Sequence, residues 1–255
     1  MVKTLTRKGK KKHLKRKPAP KNWPIHRKEF LWTIKPKPGP HPISGCIPLL
    51  IIVREILGMA KTRREAKNII SQGKLAVNGK PRRDESFPVG LMDVVSIPEI
   101  DRFYRIIPSK KGLFLHPIDK KESEFRLCRI EDKSIINGGY LQLNLHDGTN
   151  LTVKDDSSGQ IEDTYKTLDD LKLSIPEQEV LDYLKLVEGA SIITLGGENM
   201  GKYGILKSIE EKKSQKRRHS LVTIEEKNGE SFQTILDFIF AIGYDEPCIS
   251  LPEVI

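Results

Sequence analysis

The apolar positions of this chain change period several times, and each change predicts an element. Ile47 to Leu57 is apolar enough for a buried helix; Pro48 suits its first turn and Gly58 suits a left-handed stop. A second helix follows at once. Thr62 and Glu65 have capping-box spacing, Ala66, Ile69 and Ile70 make a stripe at helical spacing, and Gly73 ends it. Leu75, Ala76 and Val77 then lead into the tight-turn pair Asn78-Gly79, and Met92 to Ile97 predicts another short strand.

From residue 108 to 174 the chain reads as mainly strands. Leu141, Leu143 and Leu145 alternate with polar residues, Asp147-Gly148 turns the chain, and Leu151 and Val153 resume, so a half-buried hairpin is expected. His146 and Asp147 fall at its tip with no nucleophile in a recognisable motif nearby, which makes them ordinary turn residues. Farther on, Ile192, Thr194, Ile205 and Leu206 mark short strands, while Gly196, Gly197, Gly201 and Gly204 permit the tight corners of a small barrel. Their spacing is not that of a dinucleotide loop, and no Gly-Lys-Ser/Thr of a P-loop is present. Val222 to Lys227, Asn228-Gly229 and Glu230 to Ile235 predict a closing hairpin.

Charge adds what periodicity cannot. Residues 1 to 37 hold fourteen Lys or Arg against Glu29 alone, whereas the whole chain of 255 residues sums to only +10, so residues 38 to 255 are slightly acidic. A block this dense repels itself, should be disordered alone, and should seek a polyanion; a solubilising or import tail is the blander reading. Pro36, Pro38, Pro40 and Pro42 then stiffen an extended strap. Trp23, Phe30 and Trp32 interleave with Arg27, Lys28 and Lys35, a mix that either stacks on bases or docks the strap on the body. A second cluster follows: between Val53 and Arg83, nine basic residues face only Glu55 and Glu65. Arg63, Arg64 and Lys67 share a flank of the second helix, which favours a docking surface over a merely solvated face.

Other classes are disfavoured. The longest apolar run, Ile47 to Val53, falls far short of the roughly 20 residues of a bilayer span, and no apolar signal core follows the basic N-terminus, so a soluble, unexported protein is expected. Cys46, Cys128 and Cys248 are odd in number and far apart, which indicates neither disulfides nor a zinc site. No metal, cofactor or catalytic residue is expected.

The run T-R-R-E-A, a helix ending in Gly, then K-L-A-V-N-G-K and P-V-G-L-M-D-V-V-S-I, resembles the RNA-binding module named after ribosomal protein S-four. That resemblance implies RNA contacts at Arg63, Arg64, Lys67, Lys80, Arg82 and Arg83. Such modules also occur on pseudouridine synthases, rRNA methyltransferases and a tRNA synthetase, so it does not fix the function. V-E-G-A-S-I-I-T-L-G-G-E-N-M-G-K-Y-G-I-L-K-S-I resembles the KOW motif, a small barrel element of ribosomal proteins and transcription elongation factors.

Taken in order, H-L-K-R, A-P-K-N-W-P, P-G-P-H-P, the S-four-like run, F-L-H-P-I, L-Q-L-N-L-H-D-G and I-S-L-P resemble the ribosomal protein S-four-e family, small-subunit proteins of archaea and eukaryotes. The N-terminal wording is archaeal in character. The implied fold is α+β in several modules: a basic extended N-terminal tail and strap over residues 1–43, an S-four-like α/β module over 44–107, a central β-rich module over 108–174, a small KOW-type β-barrel over 175–243 and a tail over 244–255. The implied function is structural: binding small-subunit rRNA beside neighbouring ribosomal proteins in the cytoplasm, with no small-molecule substrate, membrane or second copy. An rRNA-modifying enzyme with an S-four-like targeting module is the alternative, and a KOW-bearing transcription factor ranks below it. The expected RNA contacts also include Arg7, Lys8, Lys10, Lys11, Lys12, His13, Lys15, Arg16, Lys17, Lys21, Trp23, Arg27 and Lys28 in the tail, and Lys213, Lys216, Arg217 and Arg218 in a second basic loop. Gly73, Asn78, Gly79, Gly201 and Gly204 are expected to serve turns.

Overall fold

The structure, a computed structural model, describes residues 13–136, 139–153, 164–210, 217–226, 228–244 and 246–252. Strands β1 (Leu14–Lys15) and β2 (Trp32–Thr33) pair antiparallel, and the loop between them is anchored rather than loose. Ala19, Trp23 and Ile25 from that loop, with Ile34, are buried in one cluster with Leu49, Ile52 and Val53. The expected disordered tail is thus corrected from His13 onward: its apolar residues reach the body, and burying them outweighs repulsion among the lysines.

Strand β3 (Cys46–Pro48) leads into α1 (Leu49–Ile51), whose helix widens to π spacing over Ile52–Ile56 before Gly58 stops it at φ +63°. The helix predicted from Ile47 therefore starts two residues later, because Ile47 and Pro48 pair in a ladder with Val89 and Pro88. After α2 (Arg63–Ser71) come β4 (Ala76–Val77), β5 (Lys80–Pro81), β6 (Pro88–Gly90), β7 (Val94–Ile97), β8 (Arg102–Ser109) and β9 (Gly112–Ile118). Strand β7 starts later than predicted because Met92 adopts φ +60°. The five-stranded order is β5-β4-β7-β8-β9, so the boundary expected after residue 107 falls inside a strand of this sheet.

The next sheet, in order β12-β11-β10-β13-β14, comprises β10 (Phe125–Ile136), β11 (Tyr140–Leu145), β12 (Asn150–Val153), β13 (Asp170–Ser174) and β14 (Val180–Leu184). The predicted hairpin is β11–β12, with Leu141, Leu143 and Leu145 all buried. The last sheet runs β18-β17-β16-β15-β19-β20, from β15 (Ala190–Thr194), β16 (Tyr203–Glu210), β17 (Leu221–Glu225), β18 (Ser231–Ile235), β19 (Ile239–Tyr244) and β20 (Glu246–Pro247). The residues after 243 are not a free tail, since β20 joins this sheet and Ile249 is buried.

The sheets share interiors instead of lying in series. One apolar cluster takes Met92 and Ile107 from the first unit, Leu127 and Leu168 from the second, and Ile192, Val222 and Phe240 from the third. Buried polar groups cross the same seams. Arg129 on β10 donates to the carbonyls of Asp237 (2.7 Å) and Ile239 (3.2 Å), and Asp170 on β13 accepts from the Ala241 N–H at 2.6 Å. His146 and Asp147 lie at this junction, which corrects their reading as ordinary turn residues. His146 Nδ1 accepts from the Arg129 N–H (3.1 Å) and Nε2–H donates to the Leu91 carbonyl (3.2 Å), while Asp147 pairs with buried Arg126 and accepts from Thr149. That bonding fits only a neutral imidazole, and burial holds the His146 pKa below its ordinary 6.5.

His41 meets the opposite fate. Burial opposes its charging, but Asp93, 2.9 Å away, raises its pKa above the ordinary 6.5. Asp93 is lowered from 3.8: burial works against this, and His41, the Gly90 N–H and Asn78 overcome it. Stability from His41 is therefore fully present below pH 6.5 and fades as pH rises through its folded value; that from Asp93 is present above pH 3.8 and is lost on further acidification. His146, with its lowered value, has the opposite sign to His41 and costs stability as pH falls below 6.5. The destabilisation caused by His41→Asn is accordingly expected to be larger near pH 5.5 than near pH 8.5, read from urea melts of both proteins. An effect independent of pH would remove the charged pair from this account.

Gly201 and Gly204 are required for different reasons. Gly201 has φ +86°, and a Cβ there would lie 2.7 Å from Ser109 Cα; Gly204 lacks a positive φ, but its Cβ would lie 2.3 Å from the Glu225 carbonyl oxygen on the neighbouring strand. Backbone strain thus applies at Gly201 only. Gly201→Val is expected to cost about 2–4 kcal/mol in urea unfolding, combining strain and overpacking. Gly229→Asn, at φ +81° with open space around it, should cost less than about 1 kcal/mol, since Asn tolerates that region.

Candidate nucleic-acid interface

Helix α2 is set by its ends. Thr62 Oγ1 accepts from the Glu65 N–H (3.2 Å), Glu65 Oε2 accepts from the Thr62 and Lys61 N–H groups (3.3 and 3.0 Å), and Gly73 turns away at φ +76°. Ala66 and Ile70, one helical turn apart, are fully buried, and Arg63, Arg64 and Lys67 lie exposed beside that stripe. The turn that follows is built as predicted, with Asn78 at φ +50° and Gly79 at φ +73°. Asn78 does more than turn the chain: its Nδ2 donates to Asp93 (2.7 Å) and its Oδ1 accepts from the Val94 N–H (2.9 Å). The lysine at position 80 and the arginines that follow are thereby held against a buried anchor.

Between Lys67 of this helix and the segment that follows Lys80 runs an open groove of about 890 Å³, lined by Lys37, Lys67, Arg82, Arg83, Asp84, Glu85 and Phe87 among others. Both acids are already engaged. Lys37 reaches Asp84 at 2.5 Å and Arg63 reaches Glu85 at 2.7 Å, and Arg82 lies over the Phe87 ring at 4.2 Å. Arg64, Lys67, Lys80 and Arg83 are exposed, and none has an ion-pair partner among the described residues. The surface can therefore offer four unengaged cations, plus Arg63, which is itself exposed but paired with the largely covered Glu85. Sequence reasoning overlooked Lys37 and Phe87 here; the acids directly after Arg82-Arg83 were the visible sign that part of the charge is neutralised internally.

The tail residues divide sharply. Trp23 is 3% exposed and donates its indole N–H to the Cys46 carbonyl at 2.6 Å, so the docking alternative holds for it. Arg16, 2% exposed, donates to the His26 carbonyl and stands beside Glu29 and Glu55; Arg27 donates to the carbonyls of Arg16, Lys17, Ala19 and Pro20. These three serve the fold. His13, Lys15, Lys17, Lys21 and Lys28 remain exposed. In the second basic loop Arg217 donates to the Thr167 carbonyl, and Arg218 reaches Glu131 and Asp237, stitching sheets together. Arg7, Lys8, Lys10, Lys11, Lys12, Lys213 and Lys216 lie outside the described residues.

With that geometry in place, three family models match the chain: the RS4NT (NUC023) domain over residues 8–44, the S4 domain over 48–95 and Ribosomal family S4e over 100–180. The chain is 52% identical to small ribosomal subunit protein eS4 of Staphylothermus marinus, covering 98% of this chain and 99% of the relative. It is 50% identical to eS4 of Desulfurococcus amylolyticus, over 96% of this chain and 97% of that one. A crystal structure of the 30S ribosomal protein S4e from Thermoplasma acidophilum superposes with a TM-score of 0.64 at 28% identity, covering 78% of this chain and 96% of the other. A likeness that runs end to end at about half identity decides the kinship, and the chain belongs to the family of small ribosomal subunit protein eS4.

Proposed function

We propose that this chain is a non-catalytic structural constituent of the small ribosomal subunit, working in the cytoplasm by binding and bracing small-subunit rRNA. The observation that carries this reading is the end-to-end match to proteins of that name, together with an exposed cationic helix and turn on a body that buries Arg16, Arg105, Arg126 and Arg129. The S4 domain match spans Arg63, Arg64, Lys67, Lys80, Arg82 and Arg83, so the principal RNA contact lies on α2 and the turn after β4. Residues 1–12, with six Lys or Arg, add sequence-independent contacts that release counterions. The working units are an arm over 1–43, an S-four-like unit extended to about 118 by β8 and β9, a central sheet carried past the expected boundary at 174 to about 184 by β14, and a C-terminal unit. The glycine-bearing turn between β15 and β16 supports a KOW-type barrel for the last of these. One copy acts per subunit, beside neighbouring ribosomal proteins and with no small-molecule substrate.

The triple change Arg64→Glu, Lys67→Glu and Arg83→Glu tests this. All three side chains are exposed, so thermal unfolding should stay close to wild type, while the slope of log K against log salt for an rRNA fragment shrinks by about 2–3. An unchanged slope would return the three residues to a solvated surface. Failure of the wild-type protein to co-sediment with small subunits after a high-salt wash would overturn the function itself.

A further inference from the structure

The two tryptophans of this chain have opposite environments. Trp23 is buried and hydrogen-bonded, whereas Trp32 is 53% exposed and continues a run in which Phe30 and Leu31 are 61% and 60% exposed. Three consecutive large apolar side chains left in water form the kind of patch that marks an interaction site. We infer that Trp32 is a stacking platform for an unpaired RNA base, a contact separate from the helix and turn of the S-four-like unit. This rests on the rRNA-binding reading and adds a second, chemically different site to it.

Register and charge select the occupant. Lys15 and Trp32 are directly opposite in the β1–β2 ladder and so share a face, with Lys15 Nζ 5.7 Å from the ring centroid. The His13 ring lies 5.7 Å away, tilted by 58°. Behind the patch, Arg16 is fixed against the Phe30 ring at 4.9 Å, and the same Arg16 partly neutralises Glu29, the only acid in residues 1 to 37. The rim is therefore cationic, through Lys15 and Arg16. An apolar protein partner would have to bury those cations without matching anions, which is costly. A nucleotide supplies both halves of what the patch offers: a base for the indole and a phosphate for Lys15. Paired bases in a duplex present no free face, so the ligand is single-stranded or splayed out.

Fluorescence of the full chain provides the test, because Trp23 is buried and Trp32 is the exposed emitter. An oligouridylate of about ten nucleotides should quench wild-type emission and leave Trp32→Phe nearly unchanged. Trp32→Ala should bind that oligonucleotide about tenfold more weakly, with Trp32→Phe in between, whereas affinity for an RNA duplex of about 16 base pairs should change less than about twofold. Equal oligonucleotide affinity for wild type and Trp32→Ala, without quenching, would overturn the stacking site while salt-dependent duplex binding keeps the rRNA reading intact. Loss of all RNA binding by wild type would remove both. Protection of Trp32 from hydroxyl radicals by ribosomal proteins but not by RNA would assign the patch to a protein and likewise overturn the inference.

Discussion

Asp93, 2% exposed, ties together three stretches of backbone that would otherwise be independent. Its Oδ2 accepts from His41 of the strap (2.9 Å) and from the Gly90 N–H (2.9 Å), and its Oδ1 accepts from Asn78 of the basic turn (2.7 Å). A carboxylate taken out of water needs such partners, and removing one leaves an uncompensated buried charge. The arrangement also explains why residue 90 is glycine: a Cβ there would fall 2.3 Å from the His41 ring, so the strap could not seat. Through Asn78 the same carboxylate sets the turn carrying Lys80 and the groove arginines. The basic turn is thus held in place by a group that is itself buried.

A chain with 44 Lys and Arg must decide which cations serve the fold and which serve a partner, and the two residue types divide the work. Among the described residues the buried lysine and arginine positions are all arginines: Arg16, Arg105, Arg126 and Arg129. Each uses its fork of donors on several acceptors at once, as Arg105 does on Glu122 Oε1 (3.1 Å) and on the carbonyls of Glu122 and Phe125 (2.9 and 3.0 Å). An ammonium cannot span such a set and holds its hydration more strongly, so lysine stays outside. Net charge therefore overstates the nucleic-acid surface, and burial of the guanidinium groups is the correction.

Local chemistry was legible in the sequence and distant partnership was not. The capping box at Thr62 and Glu65, the left-handed pair at Asn78 and Gly79, and the alternation of Leu141, Leu143 and Leu145 all depend on near neighbours. The ownership of β8 and β9, the seam position of His146 and Asp147, and the inward turn of Arg217 and Arg218 depend on residues tens of positions away. His146 shows the difference well. Its neighbours mark a hairpin tip, but nothing near it in sequence announces that Leu91, His41 and Phe240 meet there.

Charge density alone would leave residues 1 to 37 unfolded, and magnitudes decide where that argument stops. Exposed like charges about 9 Å apart repel by only a few tenths of a kcal/mol in salted water. Burying Trp23, Ile25 or Ile34 returns about 1.5–3 kcal/mol each, so a few such residues hold the chain to the body from His13 on. Residues 1 to 12 hold only Met1, Val2 and Leu5 as large apolar residues against six cations. Lys15 and the lysines after it are consequently held on an ordered loop, so a polyanion that meets them there does not bear the entropy of ordering that backbone.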